Sequence, residues 1–535
     1  MLLAHLSFTA RVLQGFVEDE TVKHTLEMKN IVKRFPGVVA NDHASFTIQA
    51  GQIHALVGEN GAGKSTLMQI LYGFHSMDSG EIFIDGQLIR LGGPKDAIAL
   101  GIGMVHQEFM LVPTFSVVEN IVLGLGAGAG AMLDLARASS RIRDLSDRYG
   151  LALDPSAKVG ALPIGVQQRV EILKLVYRDA RLLILDEPTS VLTAGEKDRL
   201  FAVLRELGRS GCSIVIVTHK LNEIMELADR VTVMRDGRTL GTKSISSTSQ
   251  QELAQLMVGR AVQLHAVKPN RDLGEPILRV EELCVADDSD VEKVHRVTLE
   301  VRAGEIFGIA GVDGNGQSEL AEAILHLRKA KSGRIFLAGA DVTRMSVGER
   351  RARGVAYVPA DRRGVGSVTE MTVADNAVLG LQRRYRRGPF RSARDARHAA
   401  DRLAERFGVR GAGIDSPAGK LSGGNLQKLI IGRELTCGAC MLIVEQPTRG
   451  LDVGAVESLW KELLLARQEG KAVLLISTEM EELLNLSDRI AVLFNGRILG
   501  VFDAPFGSVD QIGLLMAGIA PSGPSSPWPR PGTRT

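Results

Sequence analysis

The sequence predicts an α/β protein in which one domain is written twice, each copy built around a largely parallel sheet. Three observations carry this prediction. The first is an internal repeat: Gly-Glu-Asn-Gly-Ala-Gly-Lys-Ser at 58–65 returns as Gly-Val-Asp-Gly-Asn-Gly-Gln-Ser at 311–318, an offset of 253. Leu-Pro-Ile-Gly-Val-Gln at 162–167 returns as Leu-Ser-Gly-Gly-Asn-Leu at 421–426, and Asp186-Glu187-Pro188-Thr189 as Glu445-Gln446-Pro447-Thr448, both at 259. Arg235-Asp236-Gly237-Arg238 matches Phe494-Asn495-Gly496-Arg497 at the same offset, so one six-residue insertion aligns the two copies. The second observation is alternation of short β-branched runs with longer amphipathic stretches, and the third a glycine loop lying between a strand and a helix.

Element by element, Ile53–Val57 and residues 182–185, 213–218 and 231–234 read as buried parallel strands. Residues 195–208, with Leu200, Val203, Leu204 and Leu207 on one face, read as a packed helix. The copies are expected at 26–246 and 276–505, with an N-terminal extension at 1–25. A linker carrying Pro269, Asn270, Gly274 and Pro276 is expected at 247–275, and a C-terminal tail at 506–535, rich in Pro, Ser and Gly and disordered from about 521.

Composition excludes several classes of function. Sixty-four basic against sixty-two acidic residues leave no net field to draw the chain to nucleic acid or anionic lipid. No run approaches the ~20 apolar residues of a membrane span. The first 17 residues, interrupted by His5 and Arg11 and without a cleavage site, read as an extension and not as a signal peptide; Met28 is an alternative start. Cys437 and Cys440 form a lone pair before an apolar strand at 441–444, with no second pair and no nearby His, so reduced thiols are the better reading than zinc.

The glycine loop follows the strand Ile53–Val57 and opens a helix at 66–72. That order suits phosphate: glycines let backbone N–H groups approach it, and the helix N-terminus adds a favourable dipole. Gly58, Asn60, Gly61, Gly63, Lys64, Ser65 and Thr66 make the cradle, with Lys64 reaching the β- and γ-phosphates and Ser65 ligating Mg²⁺. The apolar run 182–185 delivers Asp186, which would hold Mg²⁺, and Glu187, which would orient and deprotonate an attacking water. An acidic pair can also be mere solvated surface, but the buried strand before this one argues against that. His219 follows the next strand and can contact a γ-phosphate or position the water. Gln107, after an apolar run at 102–105, could sense both Mg²⁺ and water. Phe35 either stacks on adenine or is an ordinary core residue.

Leu421-Ser422-Gly423-Gly424-Asn425 resembles the signature of ABC ATPases, and the resemblance, with all motifs in family order, spans 28–505. It implies two tandem P-loop ATPase domains, each with a helical signature subdomain, using ATP and Mg²⁺. In that family ATP is held between the glycine loop of one half and the signature of the other. The Lys64 site would then be completed by Ser422, Gly423 and Gly424. The other composite site departs from the pattern throughout: Gln317 stands for Lys, Glu445 for the metal-binding Asp, Gln446 for the catalytic Glu, and Thr478 for the switch His. Ala360 replaces the loop Gln and Pro163 the signature Ser, while Asp452 is retained where the first half has Thr193. One hydrolytic and one degenerate site are expected, the latter keeping Gly311, Gly314, Gly316, Gln317 and Ser318 for weak nucleotide binding.

Tandem halves resemble importers of simple sugars. Residues 34–41, 104–107, 162–171, 311–318 and 446–452 look closer to a nucleoside branch partnered with lipoproteins of the basic membrane protein family; Ala360 departs from the Glu expected there. The resemblance implies two transmembrane permease subunits, an extracytoplasmic substrate-binding lipoprotein and a peripheral position on the cytoplasmic face of the inner membrane, with no nucleic-acid partner. Residues 109–123 would receive the permease, or else serve as core of the helical subdomain. A soluble tandem ABC protein acting on ribosomes is the remote alternative, disfavoured by the short linker and the single intact site.

Overall fold

The computed structural model describes residues 25–106, 109–125, 134–189, 192, 194–260, 268, 273–387, 390–507, 509–516 and 518–519, and divides into two units, Met1–Arg260 and Ala261–Thr535. In the first unit the order is β1 (Thr25–Phe35), β2 (Val38–Gln49), β3 (Ile53–Val57), α1 (Lys64–Leu71), β4 (Ser79–Ile84), β5 (Gln87–Ile89), α2 (Pro94–Ala99) and β6 (Ile102–Val105). It continues with α3 (Val117–Val122), α4 (Leu135–Arg148), α5 (Ile164–Tyr177), β7 (Leu182–Asp186), α6 (Ala194–Arg209), β8 (Ser213–Val217), α7 (Leu221–Leu227), β9 (Arg230–Arg235), β10 (Arg238–Ser244) and α8 (Gln250–Val258).

The second unit repeats this order. It begins β11 (Pro276–Ala286), β12 (Glu292–Arg302), β13 (Ile306–Ala310), α9 (Gln317–Leu325), β14 (Ala330–Leu337), β15 (Ala340–Asp341), α10 (Val347–Ala352) and β16 (Val355–Val358). Next come α11 (Val373–Ala377), a small hairpin β17 (Arg386–Arg387) and β18 (Phe390–Arg391), α12 (Ala393–Phe407), α13 (Gly423–Thr436) and β19 (Met441–Glu445). It ends with α14 (Val453–Gln468), β20 (Ala472–Ser477), α15 (Met480–Leu486), β21 (Arg489–Phe494), β22 (Arg497–Asp503) and α16 (Val509–Met516).

Each unit carries a six-stranded sheet, β10-β9-β3-β8-β7-β6 in the first and β16-β19-β20-β13-β21-β22 in the second. Pairing is parallel except at the edge hairpins β9–β10 and β21–β22. Side chains alternate across β7 and bury both faces. Leu182 and Ile184 join a core with Met28, Phe46, Leu67 and Met68, whereas Leu183 and Leu185 join one with Ile121, Ile142, Leu173 and Leu204. Each such side chain contributes roughly 1.5–3 kcal/mol by leaving water, so the strand ends, where the functional residues sit, are firmly held.

Each unit also carries a second, antiparallel sheet beyond those expected from the sequence, β2-β1-β4-β5 and β12-β11-β14-β15. Its pattern is visible in β2, where Ala44, Phe46 and Ile48 are buried and the residues between them face outward. Register shifts along β1, with Asn30 and His43 at positive φ, interrupt the alternation and obscure it. Residues 250–258, within the expected linker, form α8, which buries Leu253, Ala254 and Met257. Residues 509–516, within the expected tail, form α16, which buries Ile512 and Leu515. Both short apolar stretches pack against the sheet, the first on β9 and the second on β21. Among the described residues no helix is long and apolar enough to cross a membrane.

Candidate active site

In open parallel sheets ligands bind beyond the carboxyl ends of the strands. Here β3, β7 and β8 end together: Leu56 pairs with Val217, and Asp186 also pairs with Val217. The loop after β3 returns into α1 through Gly63, at φ +91°, where a Cβ would collide with the Ala40 carbonyl. Only glycine fits there. Asn41 Nδ2 donates to Gly63 O at 3.1 Å and fixes the turn. The Lys64 ammonium folds over the loop, donating to Gly58 O at 2.8 Å and Glu59 O at 2.9 Å. Asn60 and Gly61 are exposed at the loop's tip, while Ser65 and Thr66 lie half-buried in the first turn of α1.

Asp186 is buried, and desolvation raises its carboxyl above the ordinary range, opposed by a hydrogen bond with Ser65 and by the Lys64 charge. Glu187 takes φ +49°, a conformation that costs a non-glycine residue about 1–3 kcal/mol, and its amide donates to Val217 O at 2.8 Å. This turn swings its side chain to the end of β8, where His219 Nδ1 lies 2.9 Å from Glu187 Oε1. That bond is the main reason the Glu187 carboxyl sits below its usual value. The donor set suits a magnesium nucleoside triphosphate: loop amides and an ammonium for phosphate, a hydroxyl and a carboxylate for a hard cation.

The second unit repeats the backbone and changes the chemistry. Gln446 has the same strained φ, +44°, and its amide donates to Ile476 O at 2.8 Å. Its carboxamide accepts from both the amide and the hydroxyl of Thr478 at 3.2 Å, in place of the His–Glu pair. Gln317 turns back on its own loop, Nε2 donating to Val312 O at 2.9 Å and Oε1 accepting from Asn315 N at 3.1 Å. Glu445 accepts from Ser318 Oγ at 3.2 Å and from the Tyr357 hydroxyl at 2.9 Å, and burial pushes its carboxyl up to about 7. Tyr357 stands where the first unit has Met104, and Glu319 where it has Thr66, and the cradle lacks the ammonium.

Ser422 caps α13 and holds Asn425, whose Nδ2 donates to Ser422 Oγ at 2.9 Å; Gly423 and Gly424 form the first turn. Pro163, at the equivalent position before α5, offers no side-chain cap. Asp452 caps α14, accepting from Ala455 N at 2.8 Å, an ordinary helix-capping role. Gln107 and Thr193 lie outside the described residues, as do most of the expected extension and tail and part of the expected linker. Phe35 is partly exposed, with its ring centroid 5.3 Å from that of His75. In the 109–123 segment both readings find residues: Met110, Phe115 and Leu123 are exposed, whereas Val117, Ile121 and Val122 are core. The described cysteines are free thiols.

Two residues near the site escaped the sequence reading, Tyr357 and Glu223. The repeat could have revealed Glu223, because Thr189 and Glu223 recur unchanged as Thr448 and Glu482 although His219 and Lys220 become Thr478 and Glu479.

Residues 41–190 and 294–449 match the family model described as ABC transporter. The chain is 47% identical to the glucose import ATP-binding protein TsgD13 of Haloferax volcanii, over 92% of this chain and 96% of that one. It is 46% identical to the nucleoside import ATP-binding protein NupA of Lactococcus lactis, over 94% and 99%. It is also 46% identical to the guanosine import ATP-binding protein NupO of Bacillus subtilis, over 93% and 98%.

Proposed function

Since the chain belongs to the ABC transporter family, as an ATPase coupled to import, we propose that it energises uptake of purine nucleosides through a single hydrolytic site in its first half. The observation that carries the single site is the contrast between His219–Glu187, a base held by a histidine, and Thr478–Gln446, an amide that cannot accept a proton. In this reading Lys64 and the amides of Gly58, Asn60, Gly61, Gly63 and Thr66 bind the phosphates. Ser65, Asp186 and Gln107 hold Mg²⁺, which when bound offsets charge on the β- and γ-phosphates. Glu187 takes the proton of the attacking water and His219 holds its carboxylate in place. Ser422, Gly423 and Gly424 supply the one signature that retains its hydroxyl. The second half keeps Gly311, Gly314, Gly316, Gln317 and Ser318 as a weak, non-hydrolytic nucleotide site. The working halves are 26–246 and 276–505.

Import ATPases of this kind act with a membrane permease and a substrate-binding protein. Here we assign two permease subunits, an extracytoplasmic lipoprotein and a place on the cytoplasmic face of the membrane. Nucleoside specificity is supported by the motif resemblance and by two relatives whose names specify nucleoside and guanosine import; the glucose importer favours a sugar as the second reading. Uptake of radiolabelled guanosine, ribose and glucose by cells lacking this protein tests the ligand. Loss of guanosine uptake alone is expected, and unchanged guanosine uptake with loss of either sugar would reverse the assignment.

A further inference from the structure

Beneath the His219–Glu187 pair lies a buried carboxylate for which the mechanism above has no use. Glu223, in the first turn of α7, is 9% exposed. Its Oε2 accepts a 2.6 Å hydrogen bond from Thr189 Oγ1, and its Oε1 lies 3.5 Å from Lys220 Nζ. Thr189 follows Glu187 by two residues and Lys220 follows His219 by one. One carboxylate therefore holds both chain segments that carry the catalytic pair.

We propose that Glu223 is the positioning residue of the hydrolytic site, setting the reach of Glu187 through Thr189 and that of His219 through Lys220. The local geometry explains why an anchor is needed. Glu187 occupies a left-handed conformation that is costly for a non-glycine residue, and the residues after it are tied down from the other side as well, Gln168 Nε2 donating to Pro188 O. On the His219 side, Lys220 N donates to Thr218 Oγ1 at 3.1 Å, which turns the chain out of β8 and into α7. A buried carboxylate is kept at a desolvation cost, and that cost is accepted where its bonds impose one geometry. The inference rests on the assignment of Glu187 and His219 but concerns a residue outside the groups assigned to nucleotide, metal and water.

The test is steady-state ATPase of the full-length chain purified with its permease, comparing Glu223→Ala, Glu223→Gln and Thr189→Val, with Glu187→Gln as reference. Misplacing a catalytic group by about 1 Å costs on the order of 10²-fold. Glu223→Ala is expected to lower kcat by roughly ten- to a hundred-fold with KM for ATP within about threefold. Glu223→Gln, which keeps an acceptor for Thr189, should recover most of kcat, and Thr189→Val should lower it as Glu223→Ala does. A Glu223→Ala kcat within twofold of wild type, a loss carried by KM, or a Glu223→Gln variant no better than alanine would overturn the proposal. An active Glu187→Gln variant would instead overturn the site assignment on which it rests.

Discussion

Replacing the two equivalent glycine-loop side chains should have unequal consequences. Lys64 is buried with its ammonium donating to Gly58 O and Glu59 O, inside a site that retains Asp186, Glu187 and His219. A hydrogen bond from a charged group is worth about 1.5–3 kcal/mol, so an ammonium serving two phosphate oxygens supplies roughly 3–6 kcal/mol. At 1.36 kcal/mol per tenfold, Lys64→Ala should cut ATP turnover by about 10²–10⁴-fold. Gln317 makes two neutral bonds, at 2.9 and 3.1 Å, within its own loop. Each contributes about 0.5–1.5 kcal/mol of local stability, and none of it bears on a proton acceptor, because Gln446 stands where the base would be. Gln317→Ala should therefore keep turnover within a few-fold. Gln317→Lys should raise nucleotide affinity yet create no second active site, since Gln446 and Thr478 remain. Phosphate release and nucleotide occupancy, measured for all three variants in the reconstituted assembly, decide the matter. Equal losses in Lys64→Ala and Gln317→Ala, or two hydrolysing sites in the wild type, would refute a single hydrolytic site.

Two further outcomes are expected. Glu187→Gln should lower steady-state turnover by about 10²–10⁴-fold, the usual span for losing a general base, while ATP binding persists; more than a tenth of wild-type turnover would refute its role. With Mn²⁺ as a spin probe and a slowly hydrolysed ATP analogue, electron paramagnetic resonance should count one bound ion per chain. Asp186→Asn should lose that ion and Glu445→Gln should keep it, because Glu445 is already held between Ser318 and Tyr357 hydroxyls. Two ions per wild-type chain would contradict that reading.

Much of this protein is determined locally, and local features are legible in a sequence. The repeat, the loop at 58–65 and the buried run 182–185 each lie within a few residues, because a phosphate cradle needs glycines at fixed spacing and a parallel strand needs a continuous apolar run. The replacement of Lys, Asp, Glu and His by Gln317, Glu445, Gln446 and Thr478 is equally visible once the copies are aligned. What the chain does over long separations was decided by the tertiary fold. His219 meets Glu187 across 32 residues and Thr189 meets Glu223 across 34, because parallel β7 and β8 end in register and bring their loops side by side. Tyr357 reaches Glu445 across 88 residues because β16 and β19 are neighbours, pairing Tyr357 with Ile443. No periodicity predicts which hydroxyl will meet a carboxylate, because that depends on strand order and register, and the whole sheet sets both.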